Sequence, residues 1–147
     1  MKYSEGSIGR IFILRLEEND IIPGCIEIFA REKCISSGIV LITGGVNNGN
    51  IVVGPEDTSA ERPVKMLRKI SEAHELTASG IIAPDLSGNP VLHIHGSMGR
   101  AGNTITGCLR EGVSVWLVCE AVIIEISDAD TRRVYDEASG FTLLDII

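Results

Sequence analysis

His93 and His95 stand one residue apart in VLHIHGSMGRAGNTITGCLREG, residues 91–112, and Cys108 follows after a glycine-studded gap. Imidazole nitrogen and thiolate sulfur are good ligands for zinc and its neighbours, at bond lengths of about 2.0–2.3 Å. In an extended chain, side chains two apart point the same way. Both imidazoles then share one face while Leu92 and Ile94 take the other. The GRAGN segment can reverse the chain as a hairpin. If the turn is centred between Ala101 and Gly102, Cys108 falls opposite His95, and opposed residues share a face with Cβ atoms about 4.5–5.5 Å apart. Three donors would then converge, with a fourth coordination position open to water, a small-molecule ligand or another side chain. Strand histidines are also commonly hydrogen-bonded surface residues, and a solitary cysteine is commonly packing. Read alone, the pattern leaves a metal centre and ordinary strand filling both open.

The elements that would hold this group can be read from periodicity. The chain has 147 residues, 44% of them hydrophobic, 22% charged and only 4% aromatic. Its core must come from Ile, Val and Leu, a β-branched composition that favours sheet. Residues 8–16 alternate as a strand, and 20–38 read as a helix with Asp20 as a cap and Pro23 in its first turn. Ile22, Ile26, Phe29 and Ala30 would form its apolar face, and Ser36, Ser37 and Gly38 would stop it. Two apolar runs around Asn and Gly predict a hairpin over 39–54, whose glycines lack the spacing of a phosphate-binding loop. Residues 55–70 read as a long connection or edge strand, 74–83 as a strand and 84–90 as a turn. The longest apolar run, 113–126, is β-branched and predicts a central strand, and the tail adds a final short strand or two. The class is α+β, mainly antiparallel β-sheet packed with one principal helix, in a single domain over 1–147.

Charge limits the partners. Acidic residues outnumber basic ones by 20 to 13, for a net charge of −7, which disfavours binding to phosphate backbones. Arg62, Lys65, Arg68 and Lys69, and then Arg132 and Arg133, form short basic clusters that read as solvated faces. The N-terminal MKYSEGSIGRIFILRL lacks the apolar core of a signal peptide, and no stretch approaches a membrane span. Cys25, Cys34, Cys108 and Cys119 contain no Cys-x-x-Cys pair and read as free thiols or ligands in a reducing compartment. The expected location is cytoplasmic. His74 and Glu75 are candidates for a fourth ligand or a hydrogen bond to the site, though an exposed polar pair at the start of a strand is the simpler reading. Glu120, inside an apolar run, needs a partner such as Arg110 or a site histidine, or a subunit boundary.

The chain resembles the plants-and-prokaryotes-conserved (PPC) domain family, known from plant AT-hook DNA-binding proteins and found as stand-alone prokaryotic proteins. The resemblance lies in GRIFILRLEENDIIPGCIEIFA, GIVLITGGVNNGNI, HELTASGIIAPDLSGNPVLHIHGSMG and GCLREGVSVWLVCEAVIIEI. Its most specific piece is His-x-His followed by Gly-His-Leu and a glutamate-bearing strand. Here those positions are His93, His95, Gly107-Cys108-Leu109 and Glu120. The resemblance implies a homotrimer and, in prokaryotic members, a metal ion held by three histidines. Cys108 replaces the third. It can itself ligate zinc or a similar divalent transition metal, one per chain. The implied protein is a metal-containing trimeric module of unassigned role, with a small-molecule ligand possible at the metal. DNA binding, as in the plant relatives, is the alternative. It is disfavoured by the acidic charge and by the absence of an Arg-Gly-Arg-Pro arm. The fold is also similar to that of acetolactate decarboxylase, which makes a metal-dependent lyase a further alternative by analogy, with only Glu75, Glu111 and Glu120 available as acid or base. Fold does not carry activity across, so catalysis is the less favoured reading.

Overall fold

Alternation of β-branched and polar residues sends most of the chain into antiparallel sheet. The computed structural model describes residues 1–147. In order come β1 (Ser7–Glu17), β2 (Ile21–Ile22), α1 (Gly24–Glu32), β3 (Gly38–Pro55), β4 (Lys65–Ile70) and β5 (His74–Pro84). They are followed by β6 (Pro90–Arg100), β7 (Asn103–Cys108), β8 (Val113–Ser127), β9 (Thr131–Asp136) and β10 (Phe141–Ile146). The main sheet runs β1-β8-β3-β5-β6-β7, with β2 added to β8 and β4 to β3, while β9 and β10 pair with each other. The α+β class, the central place of the strand over 113–126 and the short strands of the tail are as the sequence predicts.

Two expectations fail. Residues 39–54 do not turn back, because β3 is one strand of 18 residues. Its first part pairs with β5 and β8, its last part with β4, and Val52 reaches Cys108 on β7. Asn and Gly here make bulges instead of a turn. The β3–β8 register shifts between Gly44 and Gly45 and again between Val46 and Asn48. Gly44 and Gly49 hold φ of +141° and +133°, where a Cβ would collide with the β8 backbone at Cys119 and with the Gly112 carbonyl. Glycine therefore lets the strand bend without reversing. The helix is also shorter than 20–38. Pro23 occupies the N-cap, Asp20 accepts a hydrogen bond from the Glu17 N–H at 2.8 Å, and Ile21 and Ile22 pair with Ser114 and Val113. Cys34, with φ +55°, turns the chain before Ser36, and Gly38 already opens β3.

Ile22, Ile26, Val40, Ile42, Leu76, Leu92, Ile94, Leu109 and Ile123 belong to one buried cluster on the inner face of the sheet. The helix adds Ile26 and Ala30 to it. The Glu27 carboxylate accepts a hydrogen bond from the Leu92 N–H at 2.8 Å, tying α1 to the strand that carries the histidines. On the outer face the register aligns rows across the sheet. Ile13, Val122, Leu41, Ser79, His95 and Cys108 make one row. Ile11, Ile124, Ile39, Ile81 and His93 make the next. Several of these apolar side chains are bare to solvent, with Ile13 at 84% exposure and Leu41 at 46%.

Candidate metal centre

β6 and β7 position the donors. Their hairpin pairs Arg100 with Asn103 and His95 with Cys108, the register expected from a turn centred between Ala101 and Gly102. Both turn residues have positive φ, +49° and +79°, the geometry of a type I′ turn, whose twist suits a two-residue hairpin. Leu92 and Ile94 point into the core, leaving His93 and His95 on the outer face. Cys108 is buried at 6% exposure where β7 meets β3. His93 Nε2 and His95 Nε2 are 3.1 Å apart, with the rings nearly perpendicular.

The donor atoms of His93, His95 and Cys108 all lie within 4.8 Å of one another. Ligands of a tetrahedral zinc are separated by about 3.3–3.6 Å, given its bond lengths, so small side-chain rotations are enough to close the set. Two imidazoles and a thiolate are a zinc-type donor set. Burial, and after it the charges of Arg133 and Arg110, push the His93 pKa down, favouring the neutral imidazole that a metal requires. The residues therefore fit an ion. Once bound, it would supply a Lewis acid with one coordination position open. The three donors line a cavity of about 250 Å³, walled also by Val52, Pro55, Pro63, Lys65, Arg110 and Phe141 among others, with no acidic residue to act as a fourth ligand.

The other candidates do not join the site. Glu75 pairs with Gly99, whereas His95 and His93 pair with Ser79 and Ile81, so Glu75 sits about 13–20 Å down the strand. The His74 ring meets the Glu72 carbonyl at 2.6 Å instead. Glu111 forms an ion pair with Lys65. Glu120 is exposed, opposite Arg15 and Thr43. It shares an outer groove with His95, but two strands, β3 and β5, intervene, and three inter-strand spacings amount to about 14 Å. Arg110 is not its partner. Trp116 is partly exposed beside Gly45.

The sequence reading missed two residues. Arg133 is not on a solvated face: it is 6% exposed, donates to the Ile81 carbonyl at 3.1 Å, and has a lowered pKa through burial and then Arg110. Arg110 sits over the Phe141 ring, at 5.8 Å from its centroid. Strand alternation in TRRVYD was the available signal, since it separates Arg132 from Arg133 and puts only one of them outward. The cysteines are all free, and burial pushes the Cys119 thiol up to about 11. That makes Cys119 an inert packing group.

The model of the Plants and Prokaryotes Conserved domain (abbreviated PCC or PPC) matches residues 3–127. A solved metal-containing protein from Archaeoglobus fulgidus is similar at 27% identity and TM-score 0.85, over 99% of both chains. A plant- and prokaryote-conserved protein from Pyrococcus horikoshii has 22% identity and TM-score 0.85, over 100% of this chain and 99% of that one. A protein from Bacteroides thetaiotaomicron, described as a candidate DNA-binding protein, has 20% identity and TM-score 0.78, over 99% of both chains. The last two likenesses speak to fold alone. No curated protein matches the chain.

Proposed function

The chain belongs to the Plants and Prokaryotes Conserved domain family, and on that premise we propose that it is a metal-containing, trimeric binding protein. In this reading residues 1–147 act as one domain, and His93, His95 and Cys108 hold one zinc-type ion per chain. The observation that carries it is the convergence of three donors on a paired hairpin, where they line one cavity. The metal-containing relative from A. fulgidus supports it from outside the chain. A binding role is favoured over a lyase because Glu75 and Glu120 stand too far from the donors to move a proton at a metal-bound ligand, and Glu111 is paired with Lys65. Free cysteines suit a reducing compartment, and the placement proposed is cytoplasmic. No helix is long and apolar enough to cross a membrane.

Trimerisation is supported by the outer face, where Ile11, Ile13 and Leu41 are exposed. A monomer seldom leaves so continuous an apolar surface to water. Elemental analysis of protein purified without a histidine tag tests the metal. About one zinc per chain is expected. Protein that carries no metal and takes up none from added zinc would end this reading.

A further inference from the structure

Arg110 and Arg133 approach His93 from two sides, and neither has a carboxylate partner. The chain's ion pairs join Lys2 to Asp145, Arg10 to Glu125, Arg15 to Glu17, Lys65 to Glu111 and Arg100 to Glu72. Arg110 lines the cavity of about 250 Å³ that also exposes His93, His95 and Cys108. Arg133 lines a second cavity, of about 550 Å³, against the same two imidazoles. It is 6% exposed, and its Nε is buried with no hydrogen-bond partner at all. A buried guanidinium with an idle N–H carries a desolvation cost that only an acceptor can offset. In a chain with 20 acidic residues, neither cavity has one in its wall. The local charge is positive inside a molecule that is negative as a whole.

We propose that the two cavities flanking His93 and His95 form one site for a small organic carboxylate, whose oxygens are held by Arg110 and Arg133. The guanidinium fork matches a carboxylate edge and donates two parallel hydrogen bonds to it. Phe141 under Arg110 fixes one fork, and the bond from Arg133 to the Ile81 carbonyl fixes the other. Val52, Pro63 and Phe141 on one side, with Ile39, Ile81 and Leu144 on the other, supply apolar wall that inorganic phosphate would leave bare. The part of the ligand that Arg110 holds lies in the cavity of about 250 Å³, below the roughly 300–1,000 Å³ of pockets that hold drug-sized ligands, and so spans a few carbons. The proposal rests on the metal reading in one respect: an ion at His93, His95 and Cys108 adds a third positive group facing the same carboxylate. Arg133 lies beyond residue 127, where the family match ends.

The test is a titration of the full chain with butyrate, butyramide and inorganic phosphate, followed by ligand-observed NMR, with zinc content and particle mass measured on each sample. Butyrate should bind, and neutral butyramide should not. Arg110→Gln, an exposed position whose change leaves the core intact, should weaken butyrate at least about tenfold, the loss expected for a charge-assisted hydrogen bond. Arg133→Lys keeps the charge but removes the fork, and should weaken it in the same direction. Equal butyrate binding by wild type and Arg110→Gln overturns the proposal. So does phosphate binding as tightly as butyrate, or Arg133→Lys lowering the particle mass with butyrate binding unchanged, which would make a partner subunit's carboxylate its true acceptor. Protein that takes up no zinc yet binds butyrate through both arginines sinks the metal reading and leaves the carboxylate site standing.

Discussion

Cys108 is the residue on which the proposed metal site turns, because it stands where the family resemblance implies a histidine. A thiolate contributes a negative charge and a longer bond, about 2.3 Å against 2.0–2.1 Å for imidazole. Its burial under β3, with Val52 opposite, holds the sulfur in place. Removing a ligand therefore costs affinity without disturbing the core, provided the change is made on the exposed side. His95→Ala should fold normally and bind zinc at least ~100-fold more weakly, exceeding the loss usual for an outer-shell partner. Cys108→His should retain zinc while Cys108→Ala loses it. Competition with a chromophoric chelator measures all three. If Cys108→Ala binds zinc as tightly as wild type, the thiol is packing and not a ligand. Charge clusters in a sequence show only that charges are close, whereas alternation decides which one is buried.

The hairpin of β6 and β7 was legible because its signals are local. Alternation fixed the faces, Gly102 marked the turn, and a two-residue loop leaves a single register. Ala101 is the weak point, since an alanine at φ +49° occupies a region that L residues reach at a cost. Asn tolerates that region, so Ala101→Asn should raise stability by about 0.5–1 kcal/mol in urea denaturation without moving the proposed ligands. The bend of β3 was not legible. NNG between apolar runs is the usual hairpin signature, and only pairing with β4, β5, β7 and β8 decides that this strand continues. Non-local partners overrode local turn chemistry. A second junction is equally non-local. Arg10 on β1 holds Glu125 on β8 at 2.7 Å and also donates to the Lys33 carbonyl after α1. The hydrogen bonds from Arg10 push the Glu125 pKa down to about 2 from an ordinary 4.5. A carboxylate with a depressed folded-state pKa stabilises the fold above its unfolded value, and that contribution fades as pH falls through the folded one. Arg10→Met should therefore lower Tm at neutral pH, with the gap to wild type closing between pH 4.5 and about 2. A gap that stays constant across that range would assign the bridge no role in acid stability.

Sheet register alone builds the outer face of the whole molecule, since each strand contributes one side chain to each row. Ile13, Val122 and Leu41 run into Ser79 and His95, so a covering subunit would end at the edge of the metal site. Leu41→Glu places a charge in the middle of that row without touching the core. Light scattering at micromolar concentration should return a trimer for wild type and a smaller particle for Leu41→Glu. A wild-type monomer would rule the assembly out. Assembly also bears on nucleic acid. Each chain carries 20 acidic and 13 basic residues, and a trimer triples the excess on one particle. DNA binders gain affinity by neutralising several phosphates, and the gain falls steeply with salt. Several of the basic groups here are already engaged. Lys65 pairs with Glu111, Arg100 with Glu72 and Arg10 with Glu125, while Arg133 is buried in the sheet. We expect AT-rich duplex to bind weakly at about 0.15 M salt, where charges are screened beyond about 8 Å. A fluorescence anisotropy titration across a salt series measures this. Submicromolar, salt-sensitive binding near physiological ionic strength would mean that the trimer assembles a basic face from Arg68, Lys69 and Arg132, and the binding role would then belong to DNA.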